Sequence, residues 1–181
     1  MGKMKGAVFF IVFFLLAIPA SAATFTVTNC ASAATTEGSL SWAVDQANAL
    51  NEPSIIEFNI PNTDPGYIIY GAVNYWRITP EATLQLKKNG IQIKGSTQTG
   101  NANPYGPEIE ISGDHMAAPS FLFEISGFNS CVLEGLILSR SSGHPIYISS
   151  GNYHKIYGCY IGTDATGEVA APNAGDRKSV V

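Results

Sequence analysis

Two stretches of this chain, LFEISGFNSCVLEGLILS at residues 122–139 and IYISSGNYHKIYGCYI at residues 146–161, carry the clearest signal of its fold. When Leu122 is laid on Ile146, Gly127 falls on Gly151 and Val132 on Ile156, so that a loop glycine and several apolar positions recur. A fixed repeat of roughly 20 to 50 residues is typical of solenoids, whose coils bury their apolar side chains only against one another. The repeat therefore predicts stacked β coils, and the alternative is a β-sandwich whose short strands align by chance.

The composition favours β structure in one domain. The chain has 181 residues, of which 45% are hydrophobic and 13% are charged, and it contains 18 Gly, 8 Tyr and 9 Phe. This hydrophobic content is too high for a disordered segment, and the glycines and aromatic residues indicate many turns and short strands. We therefore predict an all-β protein.

One helix and several short strands can be placed. The apolar residues Leu40, Ala43, Val44 and Ala47 have helical spacing, which predicts a helix at about 39–50 capped by Ser39. The segment 62–71 is rich in Pro, Gly and Asp and is predicted to be a loop. Strands are predicted at 24–28, 54–60, 83–86, 91–94, 109–111 and 122–125.

Both ends of the chain carry signals that do not concern the fold. Lys3 and Lys5 precede an apolar run and the small residues 20–22, which predicts a secretory signal peptide over residues 1–22. The apolar run from 7 to 18 would span about 18 Å as a helix, short of the roughly 30 Å needed for a membrane anchor. The tail DRKSVV, residues 176–181, resembles a translated sequencing adapter, so we expect the native chain to continue beyond residue 175; an ordinary basic tail is the alternative.

Charge and cysteine content narrow the classes of partner. The net charge is −4 and the sequence contains no basic run. This argues against a nucleic acid as the partner, because affinity for nucleic acids depends on neutralising phosphates.

The three cysteines, Cys30, Cys131 and Cys159, are an odd number for an exported chain. One thiol must stay free or find a partner elsewhere, and buried, reduced cysteines are the alternative for all three.

Four motifs carry a resemblance to a known group of proteins. They are GSLSWAV at 38–44, IIEFNIP at 55–61, IKGSTQTG at 93–100 and YIGTDATG at 160–167. Together they resemble bacterial exported right-handed parallel β-helix proteins of the pectate-lyase-like fold. The resemblance implies an N-terminal cap over residues 23–80 that contains the helix, followed by parallel β-helix coils over 81–175. It does not imply lyase activity, because this scaffold carries enzymes, adhesins and stalks.

Residues with catalytic chemistry are sparse. A lyase that uses Ca²⁺ needs clustered acidic ligands and a basic residue, but the acidic residues share no spacing. Arg140 falls one repeat before Asp164, which predicts an exposed ion pair. Glu108 and Glu110 lie on one strand face about 7 Å apart, a weak candidate for a hydrolase pair. We therefore predict no catalytic residue, no metal ligand and no cofactor, and the histidines have no metal-site spacing.

Four aromatic residues before the coils are the candidate ligand site. Their flat, apolar ring faces could stack on sugars, and packing of the cap against the first coil is the alternative. They are Tyr67, Tyr70, Tyr75 and Trp76.

We predict a secreted or cell-surface module that is structural or adhesive, whose partner is a polysaccharide or cell-surface glycan, with no membrane span after signal cleavage. The alternative function is the N-terminal part of a polysaccharide lyase or glycoside hydrolase whose active site lies in C-terminal sequence beyond residue 175.

Overall fold

The computed structural model describes residues 22–100 and 102–175. Residues 1–21 of the predicted signal peptide and the predicted adapter tail at 176–181 lie outside this part of the chain. In the described ranges, no helix combines the length and the apolar character needed to cross a bilayer.

The helix is formed by Leu40–Ala49 (α1). The side chain of Ser39 accepts a hydrogen bond of 3.1 Å from the backbone N–H of Trp42, which satisfies one of the free amides of the first turn. The apolar face of the helix, which includes Leu40 and Val44, is buried. This face contacts the strands Ala23–Val27 (β1), Ser54–Phe58 (β2) and Leu84–Leu86 (β5).

The other strands complete three sheets. They are Tyr67–Tyr70 (β3), Val73–Ile78 (β4), Ile91–Lys94 (β6), Ile109–Ser112 (β7), Phe123–Ile125 (β8), Val132–Glu134 (β9), Leu136–Ser139 (β10), Ile146–Ile148 (β11), Lys155–Tyr157 (β12) and Tyr160–Ile161 (β13). The first sheet has the order β1-β2-β6-β9-β12, the second β13-β10-β7-β4-β3 and the third β11-β8-β5.

The core lies between the sheets and is built from alternating positions of their strands. Ile91 and Ile93 of β6 are fully buried, whereas the intervening Gln92 is half-buried. In β7 of the second sheet, Ile109 and Ile111 are fully buried in the same core, and Glu110 between them is buried as well, at 1% exposure. Because side chains on a strand alternate between faces, each sheet presents one apolar face to the same core.

The predicted fold class, an all-β right-handed parallel β-helix built as a solenoid with one short N-terminal capping helix, is wrong. The described strands lie in three separate sheets of parallel and mixed sense and form no closed solenoid with a fixed repeat. Leu84 pairs with Phe123, and Phe123 pairs with Ile146. The number of residues between the first two paired positions is much larger than the number between the second two. A repeat read from residues 122–161 therefore does not extend to the rest of the chain. The arrangement is α/β-like in its layering, mostly sheet and with little helix.

The predicted alignment of the two repeats is also wrong by one residue. Val132 pairs with Lys155, and Ile156 pairs with Leu133. Because a shift of one residue turns every side chain of a strand to the opposite face, this changes which residues point inward. Leu133 is 1% exposed, whereas Val132 is half-buried.

The segment 62–71, predicted to be a loop, contains β3. This strand pairs antiparallel with β4, and Tyr67 lies opposite Trp76. The turn residues of the segment are concentrated before β3 and at Gly71, which has φ +63° between the two strands. The turn residues on either side of β3 therefore give the segment 62–71 the composition of a loop, although it contains a strand.

Candidate functional site

A groove of about 860 Å³ lies where the first sheet meets the second. Gly135 connects β9 directly to β10, and Gly158 follows β12 one layer further on. Both have a left-handed backbone, with φ of +63° and +61°, which favours glycine. One wall of the groove is this corner, and the segment that leads to β7 supplies the other, including Gln98 and Asn103.

Glu134 is the accessible carboxylate of the groove. Ser96 Oγ donates a hydrogen bond of 2.8 Å to Oε1, and the Tyr157 hydroxyl donates one of 2.8 Å to Oε2. The strand register positions this tyrosine, because Tyr157 of β12 pairs with Glu134 of β9. The hydrogen bond to Glu134 raises the pKa of Tyr157, because the phenol must keep its proton to donate it.

Glu108 is the buried carboxylate of the groove, with only 9% of the residue exposed. Its Oε1 accepts a hydrogen bond of 3.2 Å from the backbone N–H of Asn103. Among the described residues, its Oε2 is buried and has no hydrogen-bond partner. Buried carboxylate oxygens normally have a donor or a cation beside them, so this atom marks the inner part of the groove as a place for a ligand donor.

The two amides of the groove have a structural role. Gln98 donates hydrogen bonds of 3.0 Å to the carbonyls of Ile60 and Thr99 and accepts one of 2.9 Å from the N–H of Ile60. Asn103 donates to the carbonyl of Ala165 at 2.7 Å and so connects the wall to a loop of the second sheet. These amides fix the backbone of the groove wall, and few of their donors and acceptors remain free for a ligand.

The four predicted sugar-stacking residues do not form one exposed platform. Trp76 is 2% exposed, its ring packs 4.8 Å from that of Tyr67, and its Nε1 donates to the carbonyl of Pro61 at 3.0 Å. Tyr75 is 7% exposed, whereas Tyr70 is 58% exposed. The structure thus brings Tyr67 and Trp76 together by packing. Sugar stacking stays a prediction for Tyr70 and the half-buried Tyr67.

Glu110, the second member of the weak hydrolase pair, is the centre of a buried ion cluster. It is 1% exposed and lies between Arg77, whose Nε is 2.6 Å away, and Arg140. Ser139 Oγ also donates to it at 2.7 Å. Its carboxylate oxygens are therefore occupied by protein donors, so the pair with Glu108 is not available for proton transfer.

The predicted ion pair between Arg140 and Asp164 is wrong. Arg140 binds Glu110 and approaches Asp114 at 3.8 Å instead. Asp164 Oδ1 accepts hydrogen bonds from the N–H and the hydroxyl of Thr166, at 3.0 and 2.6 Å, and closes a turn. This turn role is the one expected for Asp two residues before its donor.

The three cysteines are free thiols in the described ranges. Burial is the largest cause that raises the pKa of Cys30, Cys131 and Cys159 above the ordinary value. Within the same ranges, no group of three or more His, Cys, Asp or Glu residues is arranged to hold a metal ion.

Glu134, Tyr157 and the groove itself were missed by the sequence reasoning. The dipeptides Glu134-Gly135 and Tyr157-Gly158 each place a polar residue directly before a corner glycine. Laying one dipeptide on the other would have shown the corner and its two polar side chains.

Comparisons with protein-family models, with curated proteins and with solved structures found no match. The resemblance of the four motifs to bacterial exported right-handed parallel β-helix proteins therefore stays a prediction, and the functional proposal depends on the groove.

Proposed function

We propose that this chain is a non-catalytic extracellular module that binds a glycan in the groove between its first and second sheets. The observation that carries the proposal is the lining: Glu108 and Glu134 combined with Tyr157 and Tyr160 in one open groove of about 860 Å³. Tyrosine rings provide apolar faces for sugar rings, and carboxylates accept hydrogen bonds from hydroxyl groups. A volume of several hundred Å³ is typical of sites for small ligands.

The same geometry favours binding over hydrolysis. A glycosidase needs one carboxyl group that donates a proton and a second that acts as base or nucleophile. Glu134 is engaged by two hydroxyl donors, and Glu108 is buried beneath the groove. The alternative, an enzyme whose active site lies further along the chain, stays a separate prediction.

The test is calorimetric titration of the chain with neutral, amino and acidic oligosaccharides, with product analysis for cleavage or elimination. We expect binding without products. The variant Tyr157→Ala should weaken binding about tenfold, since about 1.4 kcal/mol of stacking and hydrogen bonding is lost.

Two matched variants locate the site. Tyr153→Ala removes a tyrosine that is 82% exposed and lies outside the groove, and it should have no effect. Loss of binding in Tyr70→Ala alone would move the site to the aromatic residues of β3, and binding of no oligosaccharide would refute the proposal.

A further inference from the structure

The described lining of the groove is acidic and contains no basic side chain. Glu108 and Glu134 are its only charged members, and Lys, Arg and His are absent from that lining. Lys94 pairs with Glu134 in the strand register, but it does not line the groove and forms no ion pair with Glu134. Among the described residues, no salt bridge is formed by either carboxylate of the groove.

The side-chain hydroxyl donors of the groove are already used. Tyr157 and Ser96 donate to Glu134, Thr99 donates to a side-chain oxygen, and Tyr160 donates to the carbonyl of Tyr105. Each hydroxyl has one proton to donate, so these groups offer a ligand only acceptor lone pairs.

The side chains of the groove that can still form hydrogen bonds with a ligand are acceptors. Glu108 Oε2 is buried without a donor, and each Glu134 oxygen accepts one hydrogen bond although it has room for more. A ligand that fits this groove must bring donors, and a positively charged donor gains most beside carboxylates.

We infer that the groove selects glycans whose sugars carry free amino groups, such as a glucosamine oligomer, over N-acetylated, neutral or acidic glycans. Glu134 contacts the ammonium group, and the charge of Glu108 adds attraction from below. This inference rests on the proposed glycan binding and deepens it by naming the class of sugar.

The experiment compares a glucosamine tetramer with the N-acetylated tetramer of the same linkage by titration calorimetry at low salt. We expect the free amine to bind at least tenfold more tightly. The advantage should shrink as sodium chloride is raised to about 1 M, where charges are screened beyond about 3 Å.

Variants of the carboxylate test its role. Glu134→Gln should remove most of the preference for the amine, measured as the ratio of the two tetramer affinities, because the amide side chain carries no charge. Glu81→Gln makes the same chemical change at an exposed glutamate outside the groove and should keep the preference. If Glu134→Gln does not fold, the salt dependence of the unmodified chain carries the test.

Equal or tighter binding of the N-acetylated or an acidic oligomer would overturn the selectivity and leave glycan binding in place. A preference for the amine that survives Glu134→Gln and high salt would also overturn it. Binding of no oligomer would remove the glycan proposal itself.

Discussion

The buried carboxylate of Glu110 should be a main electrostatic support of the second sheet. It is 1% exposed and joins Arg77 of β4 to Arg140, which follows β10, across the intervening strand β7. Glu110→Gln keeps the shape of the side chain but leaves Arg77 without this counter-charge and Arg140 with only Asp114, which is 3.8 Å away. Breaking a buried ion pair costs about 3–5 kcal/mol, and we take the lower end because the arginine side chains are 28% and 29% exposed and stay partly hydrated.

The measurement is urea unfolding followed by tryptophan fluorescence, which reports on Trp42 and on the buried ring of Trp76. A loss of about 3 kcal/mol should lower the midpoint by about 1.5 M urea, for a slope of about 2 kcal/mol/M. Glu124→Gln is the matched control, because Glu124 is half-buried and accepts one hydrogen bond of 2.7 Å from Gln85. Its loss should stay below about 1 kcal/mol.

A triple variant separates charge from packing in the same cluster. If Glu110, Arg77 and Arg140 are all replaced by Met, no buried charge is left unpaired, because Asp114 is 40% exposed, and the loss should be smaller than in Glu110→Gln. The reasoning fails if the free energy of unfolding of Glu110→Gln lies within about 0.5 kcal/mol of that of the unmodified chain. It also fails if Glu124→Gln lowers the free energy of unfolding as much as Glu110→Gln does.

Two further predictions concern backbone and thiols. Gly135→Ala should cost about 3 kcal/mol in free energy of unfolding, because φ is +63° and an added Cβ would lie 2.8 Å from a backbone nitrogen. Gly71→Ala has the same φ with nothing within 4 Å, so it should cost only about 1 kcal/mol; equal losses would refute the packing argument. Burial raises the pKa of Cys30, Cys131 and Cys159, so alkylation at pH 8 should be slow in the folded chain and fast in urea. The free energy of unfolding should be highest below the pKa of an unfolded thiol, about 8.5, and fall above it; a rise would contradict the pKa directions.

Local structure was predictable where a single element carries its own pattern. The helix Leu40–Ala49 and its Ser39 cap follow from apolar spacing and one hydroxyl, and Ile91–Lys94 follows from period-two alternation. The hairpin of β3 and β4 was not found, because antiparallel pairing depends on a partner strand and not on composition.

The candidate site could be predicted only in part. The pairing of Glu108 with Glu110 on one strand face was visible in the sequence, but their separate roles were not. Arg77 and Arg140, both far from Glu110 along the chain, bind its two carboxylate oxygens, while an oxygen of Glu108 keeps no partner among the described residues. Contacts between residues this distant along the chain depend on the register of the paired strands. A shift of one residue in that register turns every side chain of a strand to the opposite face.

By itself, the sequence determined which segments alternate, where the helix begins and which corners need glycine, because these depend on neighbours along the chain. Tertiary structure decided which strands pair and how many residues separate them. The predicted alignment of the repeat in residues 122–161 is therefore shifted by one residue, and the same spacing does not occur in the rest of the described chain. It also decided that Trp76 packs inside and that Glu134 and Tyr157 share a groove. The physical reason is that contacts between residues far apart in the chain are chosen by the packing of whole sheets.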